Sequence, residues 1–143
     1  MRILALLSLL LFAGCRSHGV FVHQQKLGPS FWASTYVGAP DPRATHPLKG
    51  EMLVAEWWVP KKLIAQEPTL RLELVFHNFT SRTVTYPICQ GVGTRSYLVA
   101  NEDYEETGGI LTYKAEIVTE DGEVFRSWKH QLYVELITID DED

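Results

Sequence analysis

Histidines, carboxylates and cysteines are the residue types in this chain that could do chemistry, and their spacing decides which chemistry is open to them. The 143-residue sequence contains five histidines. No two are four residues apart and no H-E-x-x-H motif occurs, whereas zinc sites use several ligands at short, defined spacing. The sequence therefore predicts no metal site and no cofactor. The histidines are His18, His23, His46, His77 and His130.

Acidic residues form two clusters, and paired carboxylates act as acid and base where a cleft separates their pKa values. One cluster lies in NEDYEETGG, residues 101–109, which is predicted to be an open polar loop. The other is the tail DDED, residues 140–143. Solvated charge is the expected role of both, since neither has the spacing of a calcium-binding loop. No catalytic residue is predicted, and the chain is not expected to be an enzyme.

Cys89 lies in the segment YPICQGVG. A reactive thiolate needs a nearby cation or helix N-terminus, and the local sequence supplies neither, so a buried and unreactive thiol is predicted. The neighbouring residues 91–93, Gly-Val-Gly, lack the strand-to-helix setting of a phosphate loop and are predicted to form a turn or bulge.

The N-terminal segment has the composition of a targeting signal. Arg2 supplies a positive charge, and the apolar run Ile3 to Phe12 is too short to span a bilayer as a helix of about 20 residues. Two small residues then lead directly into Cys15. This pattern, which covers Met1 to Arg16, resembles the lipobox of bacterial lipoproteins, although Phe12 stands where leucine is typical.

The lipobox resemblance implies a lipid-anchored envelope protein. Residues 1–14 would be the signal peptide, cut before Cys15, whose thiol and new amino group would carry acyl chains. Several acyl chains give a durable anchor. Arg16, standing where aspartate would retain such a protein at the inner membrane, favours the outer membrane, facing the periplasm. With Cys15 lipidated, Cys89 has no partner, and no internal disulfide is expected.

Charge and length bound the remaining chain. Removing residues 1–14 leaves 12 basic and 18 acidic residues, a formal charge of −6. An acidic domain is a poor nucleic-acid binder, so no nucleic-acid partner is expected. The 129 remaining residues suit one domain. Residues 15–28 are predicted to be the lipidated N-terminus and a tether whose only apolar run is Gly19 to Val22.

Alternating apolar and polar residues predict an all-β domain over residues 29–139. Leu70 to Phe76 shows the clearest period of two, and residues 120–122, Glu-Asp-Gly, are typical of a hairpin turn. One helical turn is predicted at 61–67, before Pro68. Strands are predicted at 31–37, 51–59, 70–76, 83–86, 95–100, 111–117, 124–128 and 131–139. Seven or eight short strands of this kind favour a single antiparallel β-sandwich.

Two stretches resemble bacterial immunoglobulin-like domains. LELVFHNFTSRTVTYP, residues 72–87, is similar to a corner in that fold, and YKAEIVTEDGEVF, residues 113–125, is similar to its final hairpin. The resemblance implies an immunoglobulin-like β-sandwich. Function on such a fold lies in loops and edges, so the resemblance names no ligand.

The paired tryptophans in WWVP are the clearest candidate for a binding surface. Adjacent strand residues point to opposite faces, so Trp57 and Trp58 cannot both enter one core. Trp57 shares its face with Leu53 and Ala55 and is the predicted core residue. Trp58 is either covered by a loop or the tether, or forms a binding platform, for which Trp32 is a second candidate.

The function predicted from these features is a non-enzymatic binding or scaffold domain that contacts another envelope protein through an edge strand or loop. A glycan-binding or glycan-cleaving module, using Trp58 or Trp32 with loop carboxylates, is the alternative. An inhibitor or chaperone-like sandwich is a third possibility, suggested only by the immunoglobulin-like resemblance.

Overall fold

The computed structural model describes residues 19–28, 37–38, 40 and 48–133. In these ranges the chain forms seven strands in two antiparallel sheets, with two short helices. The predicted all-β sandwich architecture is confirmed. The strands are β1 Gly19–Leu27, β2 Gly50–Trp58, β3 Thr69–Phe76, β4 Ser81–Pro87, β5 Val92–Ala100, β6 Ile110–Val118 and β7 Val124–Lys129, and the helices are α1 Lys61–Ile64 and α2 Glu102–Thr107.

The two sheets differ in size. Sheet A has the strand order β1-β2-β5, and sheet B has the order β4-β3-β6-β7. Alternate residues of both sheets fill the space between them, as the period of two predicts. Leu70, Leu72 and Leu74 of β3 are fully buried and belong to one apolar core with Leu53 and Ala55 of β2.

Strand β1 extends well beyond its apolar run. It pairs with β2 along nine residues, from Gly19 opposite Trp58 to Leu27 opposite Gly50. Val20 and Val22 enter the core, and Gln24 donates a hydrogen bond to Glu51 of β2 at 2.9 Å. The apolar run in the sequence covers only Gly19 to Val22, but the strand pairing with β2 continues through the polar residues that follow, as far as Leu27.

The acidic segment after β5 is helical, so the predicted open loop is wrong. Glu102, Asp103 and Glu105 lie in the first turn of α2, where negative charge complements the helix dipole. The helix ends at Gly108, which has the left-handed conformation (φ +74°) that glycine adopts without strain. Tyr104, on α2, packs against the core.

The other predicted elements agree with the structure to different extents. The predicted hairpin turn between β6 and β7 is confirmed, with Gly122 at φ +83°. The predicted turn or bulge at 91–93 is wrong, because β5 begins at Val92 and pairs along β2. Gln131 and Leu132 form a turn instead of starting a strand. The predicted strand at 31–37, apart from Val37, and residues 134–143 lie outside the described residues.

Candidate functional site

Trp57 points into the core, as its place in the alternation predicts. Its residue surface is 7% exposed, and its indole N–H donates a hydrogen bond to the carbonyl of Gln90 at 3.0 Å. Gly93 of β5 lies opposite it. A Cβ atom at position 93 would come within 2.2 Å of the Trp57 ring. The close packing of this ring therefore requires glycine on the neighbouring strand.

Trp58 lies on the opposite, outward face of sheet A and is half-buried. It ends β2, with Gly19 of β1 on one side and Val92 of β5 on the other. The residue paired with Trp58 on the β1 side, Gly19, has no side chain, and the ring of Phe21 lies over it, 3.3 Å from where a Cβ at position 19 would stand. The candidate residue thus sits at one end of the strand pairing in sheet A.

A cleft of about 430 Å³ opens beside Trp58. Phe21, on β1, is 51% exposed and lies opposite Glu56, while Val92, on β5, is 65% exposed. Large apolar side chains at this exposure on one sheet face are typical of contact surfaces. We call this set the Trp58 surface; its members are Phe21, Glu56, Trp58, Val92 and Thr94.

The Trp58 surface carries one charged group. Glu56 is exposed and stands two residues from Trp58 on the same face of β2. Thr94 of β5 lies opposite Glu56 on the other side from Phe21. Among the described residues that line the cleft there is no lysine or arginine. The cleft therefore combines aromatic rings with a carboxylate and, among its described lining residues, contains no cation.

The Phe21 ring also closes the edge of the sandwich. It packs against the ring of Trp128 on β7, with centroids 5.5 Å apart and planes tilted by 60°. This contact joins the β1 edge of sheet A to the β7 edge of sheet B. One wall of the cleft is therefore held in place by both sheets.

Cys89 is exposed, so the predicted buried thiol is wrong. The preceding residue, Ile88, takes the buried position instead. Cys89 lies in a second cleft beside Trp57, Gln90 and Arg95. Within the described ranges, no three metal-binding side chains come close enough together to hold an ion.

The acidic residues of α2 have a structural role through Asp103. Arg82 of β4 donates two hydrogen bonds to the Asp103 carboxylate, at 2.9 and 3.0 Å. The hydrogen bond from Arg82 lowers the pKa of Asp103. The same guanidinium also bonds the hydroxyl of Tyr97 on β5. Arg82 thus ties sheet B to both α2 and β5, and Asp103 has the environment of an ion-pair partner.

The sequence did not predict a partly buried ionic network on the outer face of sheet B. Lys114 of β6 contacts Glu73 of β3 at 2.9 Å and Glu116 at 3.4 Å. Arg71 contacts both carboxylates, and the hydroxyl of Tyr133 donates to Glu73 at 2.8 Å. Lys114 and Glu116 alternate with core residues along β6, so their side chains lie on the outer face of the sheet. Both are nevertheless buried. The sequence pattern that could have indicated this network is a pair of opposite charges two residues apart on each strand, Arg71 and Glu73 on β3 and Lys114 and Glu116 on β6.

The network shifts the pKa values of Glu73 and Lys114. Burial acts to raise the pKa of Glu73, but hydrogen bonds from Lys114 and Tyr133 outweigh it, and the pKa is lowered. Burial acts to lower the pKa of Lys114, but the hydrogen bond to Glu73 and the nearby carboxylates raise it. Every charge in this group has a partner, so the arrangement is typical of structure and not of catalysis.

Two of the candidate residues, Cys15 and Trp32, lie outside the described residues. None of the helices in the described ranges has the length and apolar character needed to cross a bilayer.

The chain was compared with protein-family models, with curated proteins and with solved structures, and no match was found in any of the three. The geometry of the Trp58 surface and the N-terminal sequence are therefore the grounds for a functional proposal.

Proposed function

We propose that this protein is a lipid-anchored, non-enzymatic binding domain of the bacterial cell envelope, which contacts another envelope protein through the Trp58 surface. The observation that carries the proposal is the exposure of Phe21 and Val92 on either side of Trp58. Aromatic residues on a rigid sheet supply contact area at low entropic cost, and tryptophan is enriched among residues that dominate binding energy.

The N-terminal sequence supports the anchoring part of the proposal. The run from Arg2 to Cys15 resembles a lipobox, and acyl chains on Cys15 would hold the domain at a membrane. Arg16 favours the outer membrane, facing the periplasm.

The strand order supports an immunoglobulin-like fold. In that fold the first, second and fifth strands share one sheet, and the third, sixth and seventh share the other. Here β1, β2 and β5 form sheet A, while β3, β6 and β7 lie together in sheet B. β4 pairs with β3 and adds a fourth strand at the edge of sheet B. Domains of this architecture serve many functions, so the fold alone favours none.

Site-specific photo-crosslinking in cells tests the binding proposal. A photoreactive amino acid at Val92, on the Trp58 surface, should give a discrete adduct with another envelope protein. Val124 of β7 is the matched control, since it is also an exposed valine, at 48% against 65% for Val92. Adducts at neither position, or the same adducts at both, would contradict the proposal.

A glycan is the second candidate ligand because Glu56 and Thr94 place polar groups beside an aromatic ring. Sugars commonly stack on aromatic faces while carboxylates accept their hydroxyl hydrogen bonds. Retention of the purified chain on peptidoglycan, lost in Trp58→Ala and kept in a variant at an exposed aromatic residue outside the cleft, Phe79→Ala, would favour the glycan over a protein.

A further inference from the structure

We propose that the Trp58 surface binds a lysine or arginine side chain of a partner protein embedded in the membrane. This inference rests on the proposed function and adds the chemistry and the position of the partner.

The first ground is the arrangement of Glu56 between two aromatic residues. Glu56 and Trp58 are two residues apart on the outward face of β2, and Phe21 lies directly opposite Glu56 on β1. Side chains in such cross-strand and same-face positions lie within reach of one another. A cation placed in the cleft would meet the carboxylate and would have the face of an aromatic ring within reach, which is the environment that stabilises ammonium and guanidinium groups.

The second ground is charge complementarity. The lining residues in the described ranges include Glu56 and no basic residue. The chain without residues 1–14 has a formal charge of −6. Val92 adds an exposed apolar wall, against which the methylene stem of a lysine or arginine can pack while its charged end reaches Glu56. An acidic partner would be repelled by the same group.

The third ground is the position of the cleft along the chain. Gly19, the first residue of β1, is paired with Trp58, and it follows Cys15 by four residues. Four residues reach at most about 14 Å when fully extended. Acyl chains on Cys15 would therefore keep the Trp58 surface close to the lipid headgroups. Lysine and arginine side chains near the ends of membrane-spanning segments extend toward the interface, which places a suitable cation at this height.

Peptide binding to the full chain in detergent micelles tests the cation. The probe is acetyl-Leu-Arg-Leu-amide, and its control is the same peptide with citrulline, which keeps the shape and lacks the charge. Binding is followed by the indole N–H resonance of Trp58, assigned by its loss in Trp58→Phe. The arginine peptide should bind about fivefold more tightly than the citrulline peptide, and Glu56→Gln should remove that difference.

The control variant is Glu120→Gln, which removes an exposed carboxylate from the β6–β7 turn. It should keep the preference for arginine. Equal binding of the two peptides to the wild-type chain, or equal effects of Glu56→Gln and Glu120→Gln, would overturn the proposal. Binding of the full-length Cys15→Ala chain to phosphatidylethanolamine vesicles, abolished by Glu56→Gln, would assign the cation to a lipid and also overturn it.

The crosslinking experiment separates this inference from the proposed function. An adduct at Val92 together with no preference for the arginine peptide would keep the protein partner and reject the cation. An arginine preference without an adduct would reject the proposed function. An adducted partner that alkaline carbonate strips from the membrane would contradict the membrane-embedded position.

Discussion

The carboxylate of Glu51 on β2 accepts a hydrogen bond from the backbone N–H of Ile110 on β6, at 2.8 Å. This bond joins sheet A to sheet B inside the domain, where Glu51 is buried. Gln24 of β1 donates to the same oxygen. Gly109, at φ +91°, leaves room for the carboxylate, since a Cβ there would come within 2.9 Å of it. One acidic side chain thus fixes three strands at this end of the sandwich.

Glu51→Ala should lower the free energy of unfolding by about 1–3 kcal/mol, because the buried N–H of Ile110 loses its acceptor. Glu56→Ala on the same strand, facing outward, should change it by less than about 0.5 kcal/mol. Urea denaturation midpoints, at an unchanged slope, measure both effects. Equal midpoints would mean that the Ile110 N–H finds another acceptor.

Trp57→Ala should destabilise the domain by about 3–5 kcal/mol, as expected for truncation of a core aromatic residue. Trp58→Ala should cost far less stability, because its side chain is on the outward face. The same variant should weaken a partner complex by about 2 kcal/mol or more. Denaturation midpoints and pull-downs measure the two effects, and a Trp58→Ala variant as unstable as Trp57→Ala would make both rings structural.

Asp103→Asn should lower stability at neutral pH by about 0.5–1 kcal/mol, a modest effect because the ion pair with Arg82 is partly exposed. The pKa of Asp103 is lower in the folded chain, so the pair stabilises the fold above the unfolded pKa of about 4 and is lost as the pH falls. The difference between wild type and variant should therefore shrink from pH 6 to pH 2. A difference that is constant over this range would contradict the assignment.

Lys114→Met should destabilise the domain by about 3 kcal/mol, because it leaves Glu73 and Glu116 without the ammonium between them. Although burial acts to raise it, the pKa of Glu73 is lowered in the folded chain by hydrogen bonds from Lys114 and Tyr133, so the stabilisation that Lys114 supplies there is lost as the pH falls and the deficit should be smaller at pH 4 than at pH 7. Lys62→Met, at an exposed position of α1, is the matched control and should have little effect. Thermal unfolding at the two pH values distinguishes a charge effect from a loss of packing.

Cys15→Ala should release the protein from the membrane and leave the signal segment uncut, since the lipobox resemblance places both acylation and cleavage at this cysteine. Cys89→Ala should keep the anchor. Membrane fractionation and mass spectrometry of intact protein measure both outcomes. A Cys15→Ala protein that stays membrane-bound with the processed mass of the wild type would end the lipoprotein interpretation.

The sequence predicts an element well where one physical requirement dominates. Leu70, Leu72 and Leu74 alternate because one face of β3 meets the core, and the strand is found as predicted. The outward direction of Trp58 follows from the same alternation. The sequence analysis did not predict helix α2, because a run of acidic residues is as typical of a solvated loop as of the first turn of a helix. Only the combination of an acidic first turn with Gly108 at its end would have indicated a helix.

Contacts between distant strands could not be predicted. The side chains that form the cleft with Trp58 come from β1, β2 and β5. Trp58 and Val92, which are paired across β2 and β5, are separated by 34 positions in the sequence. Alternation gives the face of a residue and not its neighbours across the sheet. The exposure of Cys89 was mispredicted for a related reason, because either it or Ile88 could have filled the core, and only packing decides between them.

The pairing of Gly19 with Trp58 has a mechanical consequence for an anchored protein. A pull between the acyl chains on Cys15 and a partner held at the Trp58 surface would enter the domain at the first residue of β1 and leave it through the adjacent residue of β2. The load path would cross one end of one ladder. The buried leucines of β3 lie outside this path, whereas Val20 and Val22 belong to the loaded strand and to the same core, so a sufficient pull would separate β1 from β2 beginning at Gly19.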